Sequence, residues 1–216
     1  MSRSKKVFGF IKKQLSGVEL CRDMLVVTPT KHILRGFLIE TTMEKGRVYL
    51  WRVVFPLHRP MRSVILDYSD RIPATGEDVY IKPDAYKESA EKIGVLVREH
   101  LEYLRSIRDP EDFLRHVAWM NGNPSISLRF DLALTYYRLG KVRQSLDIVR
   151  ALDLEVDQLD KKRRLPFHDV VKHVAREMAS NPTGLADLLD EWENRNVETL
   201  GLQASRLVHE VPRSMV

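Results

Sequence analysis

Cysteine is almost absent from this sequence, since Cys21 is the only one among 216 residues. A single thiol excludes an internal disulfide and any zinc site built on paired cysteines. Low cysteine usage is typical of a reducing compartment, and we expect a cytoplasmic protein. A chain of this length can bury a sizeable core without cross-links or metals.

The sequence also lacks a long apolar run. Its most apolar segment, residues 48–57, carries Arg52 near its middle and is far shorter than the ~20 residues that cross a bilayer. Near the N-terminus, Lys12 and Lys13 follow Ile11 directly, so the apolar core of a secretory signal is missing. We therefore expect no transmembrane segment.

Recognisable catalytic motifs are missing as well. The sequence contains no G-x-S-x-G, no Walker loop and no G-x-G-x-x-G. Among its seven histidines, His168 and His173 are five residues apart and do not share a helical face as metal ligands would. We expect no cofactor and no metal. If the chain is an enzyme of unrecognised type, its site is best sought at Glu40, Arg52 and Asp67.

Positive charge is abundant but unevenly placed. The net charge is +5, and residues 1–15 contain no acid and five bases: Arg3, Lys5, Lys6, Lys12 and Lys13. Residues 16–85 hold ten bases and nine acids, and residues 86–216 hold twenty bases and twenty-one acids. The excess thus belongs to the N-terminal segment, where the apolar residues recur at helical spacing and predict a short amphipathic helix over 4–15.

A second basic run lies in the C-terminal half, at Lys161, Lys162, Arg163 and Arg164. Consecutive bases contact phosphates, although they are also common in solvated interhelical loops. One hypothesis is therefore a nucleic-acid-associated protein that uses two basic segments. The lysines and arginines concerned are Lys5, Lys6, Lys12, Lys13, Lys161, Lys162, Arg163 and Arg164.

The period of the apolar residues changes along the chain. Residues 32–43 and 47–57 predict a β-hairpin in which Gly46 is left-handed, and residues 63–69 predict a third strand. The hairpin register pairs Met43 with Arg47 and gives a core face of Phe37, Ile39, Tyr49, Trp51, Val53 and Phe55. Beyond residue 86 the period is helical, with helices over 84–107, 110–120, 124–139, 141–152, 166–180 and 182–194.

These elements predict an α+β fold. It consists of an N-terminal helix and a small antiparallel sheet over residues 1–85, followed by a helical domain over residues 86–216. Three helix starts share an Asx-Pro signature, at Asp109, Asn123 and Asn181, because proline suits the first helical position and Asx caps it. In the last helix the acids Asp187, Asp190, Glu191 and Glu193 are expected to face outward.

Residues 129–152 form two amphipathic helices joined at Gly140. Large, small and aromatic residues recur at the positions Leu132, Ala133, Tyr136, Ser145 and Val149. This segment resembles a single tetratricopeptide repeat, although Arg129 stands where an aromatic residue is usual and the adjoining windows do not fit.

The resemblance implies a helical hairpin that serves packing and protein contact. Our leading hypothesis is therefore a non-enzymatic interaction or adaptor protein that uses the helical half and binds another protein. The partner-binding residues would be Tyr136, Tyr137 and Arg138.

Overall fold

The structure is a computed structural model that describes residues 2–61, 63–64, 66–73, 79–118, 124–158, 167–181 and 184–206. It has an N-terminal helix, an antiparallel sheet and a helical C-terminal half, which confirms the predicted α+β class. No helix among the described residues is long and apolar enough to span a bilayer.

The N-terminal helix is α1, Arg3–Lys12, and the hydroxyl of Ser2 caps it by accepting the Lys5 N–H. Its apolar side is buried inside the protein, because Val7, Phe8 and Ile11 are at most 1% exposed. The predicted amphipathic helix is therefore confirmed as a packed element of the core. Its lysines lie on the opposite side.

Six strands form one sheet in the order β1-β2-β3-β4-β5, and β6 also pairs with β4. Their bounds are β1 Val18–Cys21, β2 Met24–Val27, β3 Ile33–Thr41, β4 Arg47–Pro56, β5 Asp70–Ile72 and β6 Val79–Tyr80. β2 and β3 approach closely at Gly36, where a Cβ atom would lie 2.5 Å from the Leu25 carbonyl oxygen. A side chain at this position would push the two strands apart.

The predicted hairpin between β3 and β4 is present, and Gly46 has a positive φ of 87° as expected. The predicted pairing of Met43 with Arg47 is wrong, because the N–H of Thr42 donates to the Arg47 carbonyl (3.3 Å) and Met43 is exposed. The shift of one residue changes which side chains of β4 face the core. Val48 and Leu50 are buried, whereas Tyr49 and Trp51 are only half-buried.

The predicted third strand is also wrong. The described residues between 63 and 69 are not in a strand, and the third partner of the sheet is the later segment β5. Its Asp70 and Ile72 oppose Arg52 and Leu50 of β4. The sheet gains its other strands from β1, β2 and β6, of which β1 and β6 lie where no specific strand was expected.

The helices after the sheet are α2 Tyr86–Ser106, α3 Pro110–Val117, α4 Ile126–Arg138, α5 Val142–Gln158, α6 Phe167–Ser180, α7 Gly184–Leu200 and α8 Gln203–Arg206. Asp109 caps α3 as predicted, with Pro110 in the first turn. α4 is instead capped by the hydroxyl of Ser125, so the predicted start at Asn123-Pro124 is wrong; Asn123 itself lies outside the described residues. Before α7, the Asn181 side chain accepts the N–H of Gly184 (3.1 Å).

The chain divides into two compact units. The first comprises Met1–Phe55, Arg62–Ile107 and Val197–Val216, and the second comprises Pro56–Met61 and Arg108–Asn196. The sheet, α1 and α2 thus belong to the first unit. The second unit contains α3 to α6 and most of α7, together with Pro56 at the end of β4 and the five residues that follow it. The division into a sheet domain over 1–85 and a helical domain over 86–216 remains a prediction.

The core of the second unit lies between α4, α5, α6 and α7. It is built from Phe130, Ala133, Leu134, Val149, Leu152, Val171, Val174, Met178, Leu185, Leu189 and Trp192. Gly140 ends α4 with a φ of 72°, and Ser145 of α5 is fully buried. Glu193, which was expected to face outward, is buried instead, because its carboxylate turns toward Arg138 at 3.7 Å.

The segment 56–61 is held in the second unit by buried polar groups. The amide of Asn196 donates to the carbonyls of Leu57 (2.7 Å) and Arg59 (2.6 Å) and accepts the Met61 N–H. The Arg59 guanidinium lies 3.0 Å from the carboxylate of Asp131, and both side chains are almost completely buried. A buried ion pair therefore fixes an irregular segment against α4.

A second buried contact of this segment fixes a histidine tautomer. His58 Nε2 lies 3.1 Å from the hydroxyl of Thr135, which donates its own proton to the Asp131 carbonyl (2.7 Å). Because that hydroxyl is already a donor, His58 Nε2 must carry the proton and donate to it. The polar groups of 56–61 thus match specific acceptors on α4.

Candidate functional site

The outer side of α1 carries most of the charge excess. Arg3, Lys5, Lys6 and Lys13 are exposed, and the helix contains no acid. Lys12 is the exception, since its ammonium pairs with Glu19 of β1 at 2.6 Å. Of the four lysines predicted to contact nucleic acid in this segment, three therefore remain without a carboxylate in the contacts that the structure describes.

One stripe of this surface contains an aromatic ring. Arg3, Lys6, Phe10 and Lys13 recur at spacings of three and four, so they lie along one side of the helix. Phe10 is 39% exposed, which is unusual for a phenylalanine in a helix that buries its neighbours Phe8 and Ile11. We call the four side chains the α1 stripe.

Two residues of α2 adjoin the α1 stripe within the first unit. The Lys6 ammonium lies over the ring of Tyr86, 4.9 Å from its centroid. Arg98 is exposed, and its guanidinium lies 3.5 Å from the side-chain oxygen of Gln14, one residue beyond Lys13. The surface thus combines cations with two aromatic rings, an arrangement that suits a polyanion with flat bases.

Sequence reasoning found the lysines of this surface but missed Phe10, Tyr86 and Arg98. A helical projection of residues 3–13 would have found Phe10, because it falls outside the stripe of Val7, Phe8 and Ile11. Tyr86 and Arg98 gave no such signal. Their positions depend on the packing of α2 against α1.

A second polar cluster lies between β4, β5 and α2. Arg52 donates to Asp70 (2.6 Å), lies 3.4 Å from His100 Nδ1 and stacks over the ring of Tyr103 at 4.2 Å from its centroid. Burial and the nearby positive charge of Arg52 lower the pKa of His100. The imidazole is thus kept neutral and accepts from Arg52 through Nδ1. Arg52 thus contacts the other three side chains of the cluster, which indicates a structural role.

The predicted enzyme residues are not brought together. Glu40 accepts the indole N–H of Trp51 (2.8 Å), and Trp51 lies on the opposite face of β4 from its neighbour Arg52. Arg52 pairs with Asp70 and not with either predicted acid, while Asp67 is exposed in the turn that precedes β5. Glu40 and Arg52 therefore cannot act on one substrate from a shared face of the sheet.

A cavity of about 270 Å³ in the first unit is lined by residues of β6 and the start of α2. Its two ammonium groups, from Lys82 and Lys92, lie 3.6 and 3.0 Å from the same carboxylate of Glu88. The hydrogen bond from Lys92 lowers the pKa of Glu88, which keeps this carboxylate charged. The acid offsets much of the local positive charge, and we assign no ligand to the cavity.

The side chains predicted to bind a partner protein are used within the second unit. Arg138 pairs with Asp190 of α7 (2.5 Å), the ring of Tyr137 packs against the helical core, and Tyr136 faces the ammonium of Lys141. Protein contact through the helical half remains a prediction. The assignment of these three residues to partner binding likewise remains a prediction.

The remaining sequence candidates add no site. Lys161, Lys162, Arg163 and Arg164 lie outside the described residues. Cys21 is buried, and this burial, followed by the charge of Glu19, raises the pKa of its thiol. In the part of the chain that the structure describes, no three His, Cys, Asp or Glu side chains come together as metal ligands would.

No protein-family model, curated protein or solved structure matches this chain. The resemblance of residues 129–152 to a tetratricopeptide repeat thus rests on one hairpin. The function must be argued from the geometry, and the basic surface of α1 and its neighbours is the strongest candidate.

Proposed function

We propose that the protein associates with nucleic acid through the exposed basic side of α1. The observation that supports this proposal is a helix without acids whose apolar side is buried in the core, and which exposes Arg3, Lys5 and Lys6 together with Lys13 at its C-cap. Cations that contact phosphates release condensed counterions, which makes binding favourable at low salt. Residues 1–15, which include this helix, hold five bases and no acid, equal to the net charge of the sequence.

A membrane surface is the competing polyanion, and the burial of α1 argues against it. An interfacial helix needs an apolar face that enters the lipid, but Val7, Phe8 and Ile11 are already buried in the protein. Phe10 alone offers little apolar area. Phosphate contact requires only that the ammonium and guanidinium groups be exposed, which they are.

The expected affinity is modest and strongly dependent on salt. If Arg3, Lys5, Lys6 and Lys13 each neutralise one phosphate, the slope of log K against log salt should be about −3 for a single strand. Fluorescence anisotropy of a labelled oligonucleotide, titrated with the protein at several KCl concentrations, measures this slope. Binding should be lost before molar salt is reached.

A triple variant, Lys5→Gln, Lys6→Gln and Lys13→Gln, tests the surface directly. We expect much weaker binding and a slope about two units shallower, because three of the four phosphate contacts are removed. The matched control replaces Lys31, Lys141 and Arg143 with glutamine; these residues are likewise exposed, and the change alters the net charge by the same amount. Equal losses in both triple variants, or no binding by the natural sequence at low salt, would contradict the proposal.

The basic run at residues 161–164 is tested in parallel by changing all four residues to alanine. If both basic segments contact phosphates, this variant and the α1 variant should each reduce the salt slope. If α1 acts alone, only the α1 variant should do so.

A further inference from the structure

We infer that the α1 stripe selects single-stranded over double-stranded nucleic acid, with Phe10 as the platform on which one base stacks. This inference rests on the proposed function and goes beyond it by naming the form of nucleic acid. Its starting point is the position of the ring: Phe10 lies one turn beyond Lys6 and one turn before Lys13, and it is 39% exposed.

Lys6 and Lys13, which flank Phe10, determine which kind of ligand can cover its ring. A ligand that covers Phe10 must carry negative charge on both sides of a flat, apolar group. A nucleotide strand has this pattern, with phosphates on either side of each base. In a duplex the faces of the bases are already stacked on each other, so a surface ring meets only sugars and phosphates. An unpaired base offers its face to the ring.

The second aromatic ring of the surface does not fill the same role. One face of Tyr86 is covered by the Lys6 ammonium at 4.9 Å, and the residue is half-buried at the start of α2. Tyr86 therefore holds a cation in place above its ring. Phe10 has no ring or cation stacked on it in the contacts that the structure describes, which leaves its exposed part for a base.

The packing of α1 also argues against recognition of a duplex. A recognition helix that reads a duplex enters the major groove and presents several side chains to base edges. α1 is held by the core along Val7, Phe8 and Ile11 and is flanked by Tyr86 and Arg98 of α2. Its exposed side is a shallow surface of cations around the ring of Phe10, which suits a single strand that lies across it.

The test compares three nucleic acids of equal length and label, which are a dT oligonucleotide, a duplex and an abasic strand with the same phosphates, and it adds vesicles that contain an anionic phospholipid. Phe10→Ala is compared with Phe10→Trp and with Phe10→Leu, which keeps apolar bulk but has no ring. Circular dichroism checks that each variant is folded, and the half-exposed position of Phe10 makes all three substitutions tolerable.

We expect Phe10→Ala and Phe10→Leu to weaken dT binding by about 5- to 150-fold, the loss of one stacked base. Phe10→Trp should retain or strengthen it. Binding to the duplex and to the abasic strand should be weaker from the start and insensitive to all three changes.

Unchanged dT binding by Phe10→Ala, or equal losses on the duplex and the abasic strand, would overturn the inference while leaving phosphate binding by α1 intact. A Phe10-dependent association with vesicles, without a preference for the single strand, would overturn it in favour of lipid. Absence of all nucleic-acid binding by the natural sequence at low salt would overturn both the inference and the proposed function.

Discussion

Replacing Arg59 with methionine should destabilise the second unit by about 3–5 kcal/mol, as expected when one partner of a buried ion pair is removed. The Arg59 side chain is 4% exposed, that of Asp131 is fully buried, and their charged groups are 3.0 Å apart. Arg59 also donates to the hydroxyl of Ser127 at 2.6 Å. Methionine keeps the apolar stem but leaves the Asp131 carboxylate in the interior without its guanidinium.

The second arm of the experiment neutralises the carboxylate. Asp131→Asn alone should be destabilising, because it leaves the Arg59 charge buried without its counter-ion. The double variant Arg59→Met/Asp131→Asn should recover most of the loss, since neither charge then remains buried. A coupling free energy of several kcal/mol between two residues in contact is the signature of this arrangement.

Urea unfolding followed by circular dichroism at 222 nm measures these changes, because the second unit contains α3 to α6 and most of α7. Arg195→Met is the matched control. Its partner Glu191 is one turn away on α7, and both side chains are more than half exposed, so the loss should be below about 1 kcal/mol. The reasoning fails if Arg59→Met costs no more than Arg195→Met, or if the double variant is no more stable than the single ones.

Three further predictions concern single side chains. Ser145→Ala should raise the free energy of unfolding by about 1 kcal/mol, seen as a higher urea midpoint, because the buried hydroxyl has no hydrogen-bond partner among the described residues. A lower midpoint would contradict this. The Cys21 thiol should react slowly with a thiol reagent in the native protein and rapidly in urea, since burial restricts access and raises its pKa. Fast native reaction would show that the site opens. The pKa of His100 is lowered in the folded state, first by burial and then by Arg52, so its protonation opposes folding: this loss of stability should grow as pH falls below about 6.5. His100→Gln should flatten that part of a urea-midpoint profile between pH 8 and pH 5, and an unchanged profile would refute the assignment.

Local chemistry was enough to predict several features of the fold. Asp109-Pro110 caps α3 as expected, because an Asx cap and a first-turn proline act within one helical turn. Gly46 is left-handed for an equally local reason, since the hairpin loop requires it. The start of α4 was misplaced because Ser125 competes as a cap, and its hydroxyl accepts the Leu128 N–H at 3.2 Å.

The errors arose where distant residues decide the outcome. The face of β4 that enters the core changed because the hairpin closes one residue earlier, at Thr42, than the pattern of large residues indicated. Tyr49 can remain half-exposed because its ring receives the guanidinium of Arg71 from β5, 4.0 Å from the centroid. The sequence pattern around Tyr49 does not indicate Arg71 as its partner, because Arg71 lies more than twenty residues away.

The segment 56–61 shows even more clearly that the local sequence does not predict contacts with distant residues. Nothing in the local sequence of this segment indicates that His58 and Arg59 are buried. Their partners on α4 and α7 are 68 to 137 residues away. Polar residues in a proline-rich stretch normally predict an exposed loop. Here the polar groups of the segment instead bind specific buried groups of α4 and α7. These partners come together only when the second unit is folded.

The candidate site illustrates how burial changes the meaning of a charge pattern. From sequence alone, α1 is a basic amphipathic helix, and such a helix can bind membranes as well as nucleic acid. In the structure its apolar side is part of the core, and a helix cannot bury the same face twice. The exposed remainder is a set of cations around the ring of Phe10. Cations recognise phosphate without an apolar face, and a lone ring between them recognises a stacked base better than an acyl chain, because a base covers it with one flat contact.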